Sequence, residues 1–396
     1  MHSSETTDPV RDPATHSAKR ILALDGLRGI AASAVVIFHF LCLLWPTYVP
    51  TMVSTSAAVT QTPIYVLWNG GFAVAVFFVL SGFVMAAAAD RHGRGLLVSS
   101  VARYLRLALP ATASCLLAWF WLQAFPEAAQ TMEAVLDEPS RWLRYTRQVE
   151  IGPIHHAVAD GLVVNFVRGM SSFNNVLWTM KIELLGSLGI FVLYGLSTGL
   201  LRIGALLLAG GVVLLVLSNV YLAFVLGAGV YEAHRCGAFR RLPAFLPPAA
   251  LLLGLILGGV GPGSHETWGL PQVPEQLQLG AERGLIPIFA AALLIYATLM
   301  IPRLAGVLAT RVPLGLGRIS FGLYLVHVPP LYTVVAWAYV TGAIPFPLLT
   351  ALYFVGVLIM AWAFTLWIDE PLLRRLSSLR RKVEAQLRRR PASIGT

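Results

Sequence analysis

Long uncharged apolar segments recur along this 396-residue chain and limit its possible folds more than any other feature. A helix needs about 20 consecutive apolar residues to cross a bilayer. We therefore predict an all-α fold, a polytopic membrane helix bundle of about ten spans. The predicted spans are residues 24–44, 69–89, 104–125, 176–197, 201–217, 219–233, 243–260, 284–301, 318–340 and 346–368.

The composition supports an integral membrane protein. Hydrophobic residues make up 57% of the chain, charged residues 12%, and the mean hydropathy is +0.72. Basic loops that orient the helices explain the net charge of +10, so no nucleic acid partner is predicted. Residues 1–19 lack the apolar core and cleavage site of a secretory signal and are predicted to be a disordered cytoplasmic tail. The three scattered cysteines indicate neither a disulfide framework nor a metal site.

Basic residues alternate between the two sides of the predicted bundle. Connections from an odd to an even span are nearly uncharged: residues 45–68 hold no Lys or Arg, and residues 261–283 hold only Arg283. The other connections are basic, as is the C-terminal tail, residues 376–396, so both termini are predicted to be cytoplasmic. The extracytoplasmic loop 126–175 carries four arginines, but long loops cross largely regardless of charge.

Ionisable residues inside the spans mark a candidate site, because they are costly in lipid. Arg28 lies at the cytoplasmic end of the first span. His39, eleven residues later, is roughly 16 Å deeper and near the midplane. His327 is predicted at a similar depth in the ninth span, and Glu183 in the outer half of the fourth.

Arg103 and Arg106 share one helix face at the cytoplasmic end of the third span. Taken singly, such arginines are explained by snorkelling to lipid phosphate, and His39 by a packing bond to a neighbouring carbonyl. Together these residues suit an anionic substrate that enters from the cytoplasm. The chain has no GxxxxGK[ST] or HExxH motif. Because arginine binds phosphate bidentately, we predict a phosphate-bearing carrier whose reactive end reaches the histidines.

Six short segments within residues 20–375 resemble sequence motifs that occur together, in this order, in one protein family. They are LDGLRGIAASAVVIFHF at 24–40, FFVLSGF at 77–83, RYLRL at 103–107, LWTMKIE at 177–183, ISFGLYLVHVP at 319–329 and IDEPLLR at 368–374. In this combination the chain resembles the acyltransferase-3 family, integral membrane enzymes that O-acetylate bacterial surface glycans and related acceptors. Arg28 and His39 meet the family's spacing of an arginine, ten residues and a histidine.

The resemblance implies a cytoplasmic acyl-CoA donor, usually acetyl-CoA, and no metal. The implied catalytic residues are His39, Glu183 and His327. The implied donor-binding residues are Arg28, Arg103, Arg106, Ser81 and Tyr324. The predicted acceptor-binding residues are Asp25, Trp178, Asn174 and Lys181. His39 is expected to act as general base, or as nucleophile in a two-step variant, with Glu183 as its first candidate partner and His327 as its second.

The predicted function is transfer of an acyl group to a hydroxyl of an extracytoplasmic glycan or lipid-linked saccharide, in the bacterial cytoplasmic membrane. A small molecule such as a macrolide is the alternative acceptor. A transporter of an anionic solute, which also uses midplane charges, is the alternative from another class. No SGNH-type esterase domain is expected, so the possible partners include a separate extracytoplasmic transferase or glycan-assembly proteins. Lys181 departs from the family pattern.

The segment HHAVADG at 155–161 matches a signature of soluble CoA-dependent acyltransferases. The context of the segment does not fit this signature. The outer loop is too short to hold an α/β domain, and it is predicted to lie on the side of the membrane without CoA. We interpret the match as chance or a local loop role. The alternative is that His155, His156 and Asp160 help to bind the acceptor.

Overall fold

The computed structural model describes residues 13–92, 96–137, 139–146, 151–216, 219–261, 264 and 284–389. Every regular element within these ranges is helical, which confirms the predicted all-α class. The α-helices are α1 (Pro13–Leu44), α2 (Gly70–His92), α3 (Leu96–Ala124), α4 (Ala128–Val135), α5 (Arg141–Thr146), α6 (Ile154–Ala159), α7 (Asn165–Arg168), α8 (Trp178–Leu196), α9 (Gly199–Val216), α10 (Leu222–Arg235), α11 (Leu246–Gly258), α12 (Leu285–Met300), α13 (Pro302–Leu308), α14 (Arg311–Val326), α15 (Val328–Pro330), α16 (Ala336–Thr341), α17 (Phe346–Phe364) and α18 (Glu370–Arg389).

Each of the ten predicted spans overlaps one of these helices, but the count of ten membrane crossings is not confirmed. In the described ranges five helices are long and apolar enough to cross a membrane, or seven if two bent pairs each form one span. The bent pairs are α12 with α13, at 99°, and α14 with α15 and α16, at 47°. Helices α10 and α11 have 14 and 13 residues. They reach about 20 Å, short of the roughly 30 Å of hydrocarbon.

The two predicted tails are described only in part. Helix α1 begins at Pro13, within the predicted N-terminal tail, and α18 continues to Arg389, within the predicted C-terminal tail. The rest of both tails lies outside the described residues, and the cytoplasmic position of both termini stays a prediction.

Glycines bring α1 into backbone contact with α13 and α14. A Cβ atom added to Gly26 would lie 2.0 Å from the carbonyl oxygen of Leu308, and one added to Gly317 would lie 2.2 Å from that of Asp25. Small residues at membrane helix interfaces allow this close approach. The first span therefore lies directly against the ninth, which carries His327.

The outer loop folds back onto the bundle. Helix α4 packs on α16, α6 on α3, and α7 on α8. A π-helical turn at Asp160–Val164 joins α6 to α7, and a Cβ atom at Gly161 would lie 2.3 Å from the Cα atom of Thr112 in α3. The last residues before α8 are buried, Asn174 and Leu177 completely. Helix α8 therefore begins inside the protein.

A buried ion network joins four helices. Arg202 of α9 is 8% exposed and donates to Asp90 of α2 at 2.6 Å and to Glu232 of α10 at 3.2 Å. Its guanidinium lies 4.2 Å from the ring centroid of Tyr194 in α8. The sequence suggests only an orienting charge for Arg202, but the contacts show that it ties the helices together.

Replacing Arg202 by methionine should lower the free energy of unfolding by about 3 kcal/mol, because two carboxylates lose their buried partner. Chemical unfolding in detergent measures this. The matched control is Arg235→Met, which removes a half-exposed partner of the same Glu232 and should cost less than about 1 kcal/mol. Equal losses in the two variants would show that the network is not the main contribution of Arg202.

Candidate active site

Two histidines from different helices meet in the bundle. His39 Nδ1, on α1, lies 3.1 Å from Nε2 of His327, which follows α14. His327 is fully buried and His39 partly exposed. The ring of His39 also packs against that of Trp142 in the outer loop, at 5.6 Å between centroids. The structure thus brings the two predicted histidines into direct contact.

The hydrogen bonds of the two rings assign their tautomers. Nδ1 of His327 donates to the carbonyl of Leu323 at 3.0 Å, so its Nε2 carries a lone pair. Nδ1 of His39 lies 3.1 Å from this nitrogen and 3.0 Å from the carbonyl oxygen of Val35. Both of these atoms are hydrogen-bond acceptors. The hydrogen of a neutral His39 therefore sits on Nδ1. Its Nε2 is basic and has no bond from any residue that the structure describes.

A helix break positions His327. Pro329 has no amide hydrogen, which leaves the carbonyl of Leu325, four residues earlier, without its helical partner. The side-chain amide of Asn174 donates to this carbonyl at 2.7 Å. The hydroxyl of Tyr353 donates to the carbonyl of His327 at 3.2 Å. The outer loop and a neighbouring helix therefore hold the bend that presents His327.

Glu183 is not the partner of His39, contrary to the first candidate from the sequence. Its carboxylate accepts from Arg103 at 2.5 Å and from the hydroxyl of Ser81 at 2.8 and 2.9 Å. His327, the second candidate, occupies the partner position of His39. Arg103 gives the carboxylate of Glu183 a charged hydrogen-bond donor, so this carboxylate does not depend on His39 for a partner.

The contact between Arg103 and Glu183 does not agree with the depths predicted for the two residues. The sequence places Arg103 at the cytoplasmic end of the third span and Glu183 in the outer half of the fourth, but two side chains in contact share one depth. Helix α3 begins at Leu96, before Arg103, and Glu183 lies in the second turn of α8, which follows buried residues. Hydropathy alone does not show which residues of two neighbouring helices lie side by side.

A cavity of about 180 Å³ opens beside the ion pair of Arg103 and Glu183. All five predicted donor-binding residues line it, namely Arg28, Ser81, Arg103, Arg106 and Tyr324. Other polar lining residues are Thr179, Glu183, Arg318, Ser320 and Asp369. Arg28 is fixed by bonds to Ser320 at 3.0 Å and to Asp25 at 3.1 Å. The residues predicted to bind the donor therefore share one cavity, which is rich in guanidinium groups.

His39 and His327 do not line this cavity, whereas Tyr324 lines it and also contacts His327. The ring of Tyr324 is 6.0 Å from that of His327. Its hydroxyl lies 3.0 Å from that of Thr179 and donates to the carbonyl of Val176 at 2.8 Å. Tyr324 thus links the wall of the cavity to the histidine pair.

The predicted acceptor-binding residues take part in separate contacts rather than in one common site. Asp25 pairs with Arg28. Lys181 donates to the carbonyl of Val167, at the end of α7, at 2.7 Å. Asn174 supports the helix break. The ring of Trp178 lies 6.5 Å from that of Phe78. The unusual charge of Lys181 thus caps a short loop helix.

The HHAVADG segment has a local role in the loop. Its Asp160 is 3% exposed and accepts from the hydroxyl of Ser171 at 2.5 Å and the amide of Ser172 at 3.0 Å. Burial raises the pKa of Asp160, and these bonds oppose the rise. His155 and His156 are exposed. Among the described residues no three His, Cys, Asp or Glu side chains form a metal-binding group.

Sequence reasoning missed three residues that shape the site. Asp369 lies in a π-helical turn just before Glu370 and Pro371. The sequence offered one clue to its role, because Asp369 belongs to the family segment IDEPLLR at 368–374. Arg318 lies one residue before the segment at 319–329. Trp142 has no signal in the sequence, because only the fold of the outer loop brings it to His39.

Replacing Asn174 by aspartate, which has the same shape but no amide donor, should lower the free energy of unfolding by about 2 kcal/mol. The carbonyl of Leu325 then stays buried without a partner. The control is Asn175→Asp, because its partner Thr146 keeps a bond to Trp142; we expect a loss below about 1 kcal/mol. Thermal unfolding in detergent compares them, and an equal loss would contradict the role of Asn174.

Comparison with known proteins identifies the family. A family model described as an acyltransferase domain matches residues 21–366, which include the cavity-lining residues up to Tyr324 and both histidines. No curated protein and no solved structure matches the chain. The match covers most of a chain that contains several membrane-length apolar helices. The protein is therefore an integral membrane acyltransferase and belongs to the acyltransferase-3 family.

Proposed function

We propose that the protein transfers an acyl group, usually acetyl, from CoA on the cytoplasmic side to a hydroxyl of an extracytoplasmic glycan or lipid-linked saccharide. The observation that carries this proposal is the imidazole pair. In this pair Nε2 of His39 keeps its lone pair and is basic. The pair contacts Tyr324, which lines the cavity rich in guanidinium groups. The family match supports acyl transfer, and the six family segments support the glycan acceptor.

The cavity fits the reactive end of the donor rather than its nucleotide. Cavities of roughly 150 Å³ hold a molecule the size of benzene, so about 180 Å³ accommodates part of a thioester arm. The side chains of Arg28 and Arg318 are 38% and 52% exposed. They can bind phosphates at the mouth while the arm extends inward. Displacement of Tyr324 then gives the thioester access to His39.

In the direct mechanism, Nε2 of His39 takes the proton of the acceptor hydroxyl as the oxygen attacks the thioester carbonyl. The carbon–sulfur bond breaks, and the imidazolium returns its proton to the CoA thiolate. His327 stabilises the imidazolium, because its Nε2 lone pair accepts from Nδ1 of His39. In the two-step alternative Nε2 attacks the thioester carbonyl, the carbon–sulfur bond breaks, and CoA leaves as the thiolate. The hydroxyl then attacks the acyl-imidazolium, its proton passes to the thiolate, and His39 returns to its neutral form. The mass of the protein after mixing with donor alone separates the two.

The alternatives are a small-molecule acceptor and transport of an anionic solute. The same imidazole and donor serve a macrolide hydroxyl, so the mass of acceptors from a deletion strain decides between glycan and macrolide. A transporter would leave acetyl-CoA intact. Consumption of acetyl-CoA by the purified protein therefore separates transfer from transport.

Replacing His39 by glutamine should lower kcat at least about 100-fold, because the amide cannot accept the hydroxyl proton. Acetyl-CoA affinity should be unchanged. Release of CoA thiol in the presence of an acceptor measures the rate. The control is His234→Gln in α10, whose ring packs on Phe83 outside the site. Transfer at the normal rate in His39→Gln would remove His39 from the mechanism.

Replacing His327 by phenylalanine should lower kcat about 10- to 100-fold with little change in KM, because the imidazolium of His39 loses an acceptor. Steady-state kinetics measures kcat and KM separately. Tyr353→Phe, which removes only a bond to the carbonyl of His327, should have a smaller effect in the same direction. An altered KM at constant kcat would show that His327 binds substrate instead.

A further inference from the structure

Two opposite charges line the cavity without contacting a partner. Asp369 is 5% exposed, and its Oδ1 atom is buried without a hydrogen bond. Arg106 lies within electrostatic range of it. Among the described residues neither side chain has a hydrogen bond or an ion pair, with the other or with any neighbour. A buried carboxylate in this state lacks a donor that something else has to supply.

The other charges of the cavity are already paired. Arg103 contacts Glu183 at 2.5 Å. Arg318 contacts Glu370 at 2.6 Å, and Arg28 contacts Asp25 at 3.1 Å. Each of these carboxylates therefore has a guanidinium donor within the protein, whereas the exposed faces of Arg28 and Arg318 can still accept a further anion. Arg106 and Asp369 stand apart from this pattern.

A π-helical turn directs the side chains of Asp369 and Glu370, two consecutive acidic residues, to different surroundings. A π-helical turn at Thr365–Asp369 joins α17 to α18. Asp369 lines the cavity, whereas Glu370 bonds Arg318 and Arg374. Such single π-helical turns are frequent at functional sites. The turn thus directs one carboxylate to a ligand and the next to an ion pair.

The chemistry of the two groups selects the ligand. The guanidinium requires an acceptor and the carboxylate requires a donor, and a phosphate satisfies the first but is repelled by the second. In a trans secondary amide the carbonyl and the N–H point in opposite directions, so one amide satisfies both. The pantetheine arm of CoA contains secondary amides.

We propose that Arg106 and Asp369 bind a secondary amide of the donor's pantetheine arm, with Arg106 on its carbonyl and Asp369 on its N–H. This inference rests on the proposed function, since it assumes a CoA thioester as donor. It changes the role expected for Arg106 from a phosphate ligand to an amide ligand. The phosphates then belong to the more exposed Arg28 and Arg318.

The test compares Asp369→Leu with Asp369→Asn. Both variants lose the charge, but only asparagine keeps an oxygen that can accept from the amide. The probes are radiolabelled acetyl-CoA and two competitors: acetyl-pantetheine, which contains the amides, and adenosine bisphosphate, which does not. We expect Asp369→Leu to bind acetyl-CoA and acetyl-pantetheine about 10- to 100-fold more weakly. Asp369→Asn should lose less, and adenosine bisphosphate should bind all forms equally.

A measurement on the wild-type protein covers the case in which Asp369→Leu does not fold. An acetyl-pantetheine analogue with esters in place of its amides accepts hydrogen bonds but cannot donate them. It should compete at least about tenfold more weakly than acetyl-pantetheine. Equal competition would overturn the proposal and would leave water as the occupant.

The outcomes separate this inference from the proposed function. Wild-type protein that does not bind acetyl-CoA would overturn both. Normal binding by wild-type protein and both variants would overturn only the amide assignment. Tighter binding of adenosine bisphosphate to both variants would also overturn it, because Asp369 would then face phosphate.

Discussion

The close approach of α1 to α14 determines the rest of the site, because the residues proposed for chemistry and for phosphate binding lie on or next to these two helices. Gly317 allows the two backbones to touch. Where they touch, Arg28 donates to Ser320 at 3.0 Å, and farther along His39 meets His327 at 3.1 Å. A larger residue at the glycine would separate both pairs at once. The helix interface is therefore as important to function as the side chains that it presents.

Among the described buried charges that lie between the long helices, ion pairing is the rule. Arg202 and Glu232 form a network that joins helices, and Arg103 and Glu183 form a pair in the cavity wall. A buried unpaired charge is costly, so natural sequences keep one only where something compensates for it. Asp369 is the exception that points to the bound donor.

Much of this arrangement could be predicted from the sequence. Apolar runs near 20 residues located a helix for every predicted span, and the cost of charge in lipid indicated His39 and His327. The contacts between residues could not be predicted, because they depend on how the helices pack. Glu183 illustrates this: its contact with Arg103 depends on how α3 and α8 pack, which the hydropathy of the two segments does not show. Trp142 reaches His39 for the same reason.

The proline after His327 shows how a local rule becomes a tertiary contact. Any proline at that position frees the carbonyl four residues earlier, which is readable from the sequence. That Asn174 satisfies this carbonyl is visible only in the fold. The histidine is therefore held by the outer loop as well as by its own helix, and the loop becomes part of the candidate active site.

The proposed transfer requires a thioester in the cavity to reach the basic nitrogen of His39. Cryo-electron microscopy of the protein with an acetyl-CoA analogue that cannot transfer its acyl group tests it most directly. We expect the analogue's arm to occupy the cavity, Tyr324 to be displaced, and the carbonyl carbon to lie about 3 to 3.5 Å from Nε2 of His39. An analogue bound outside the cavity, or a His39 ring that faces lipid with the analogue in place, would contradict it.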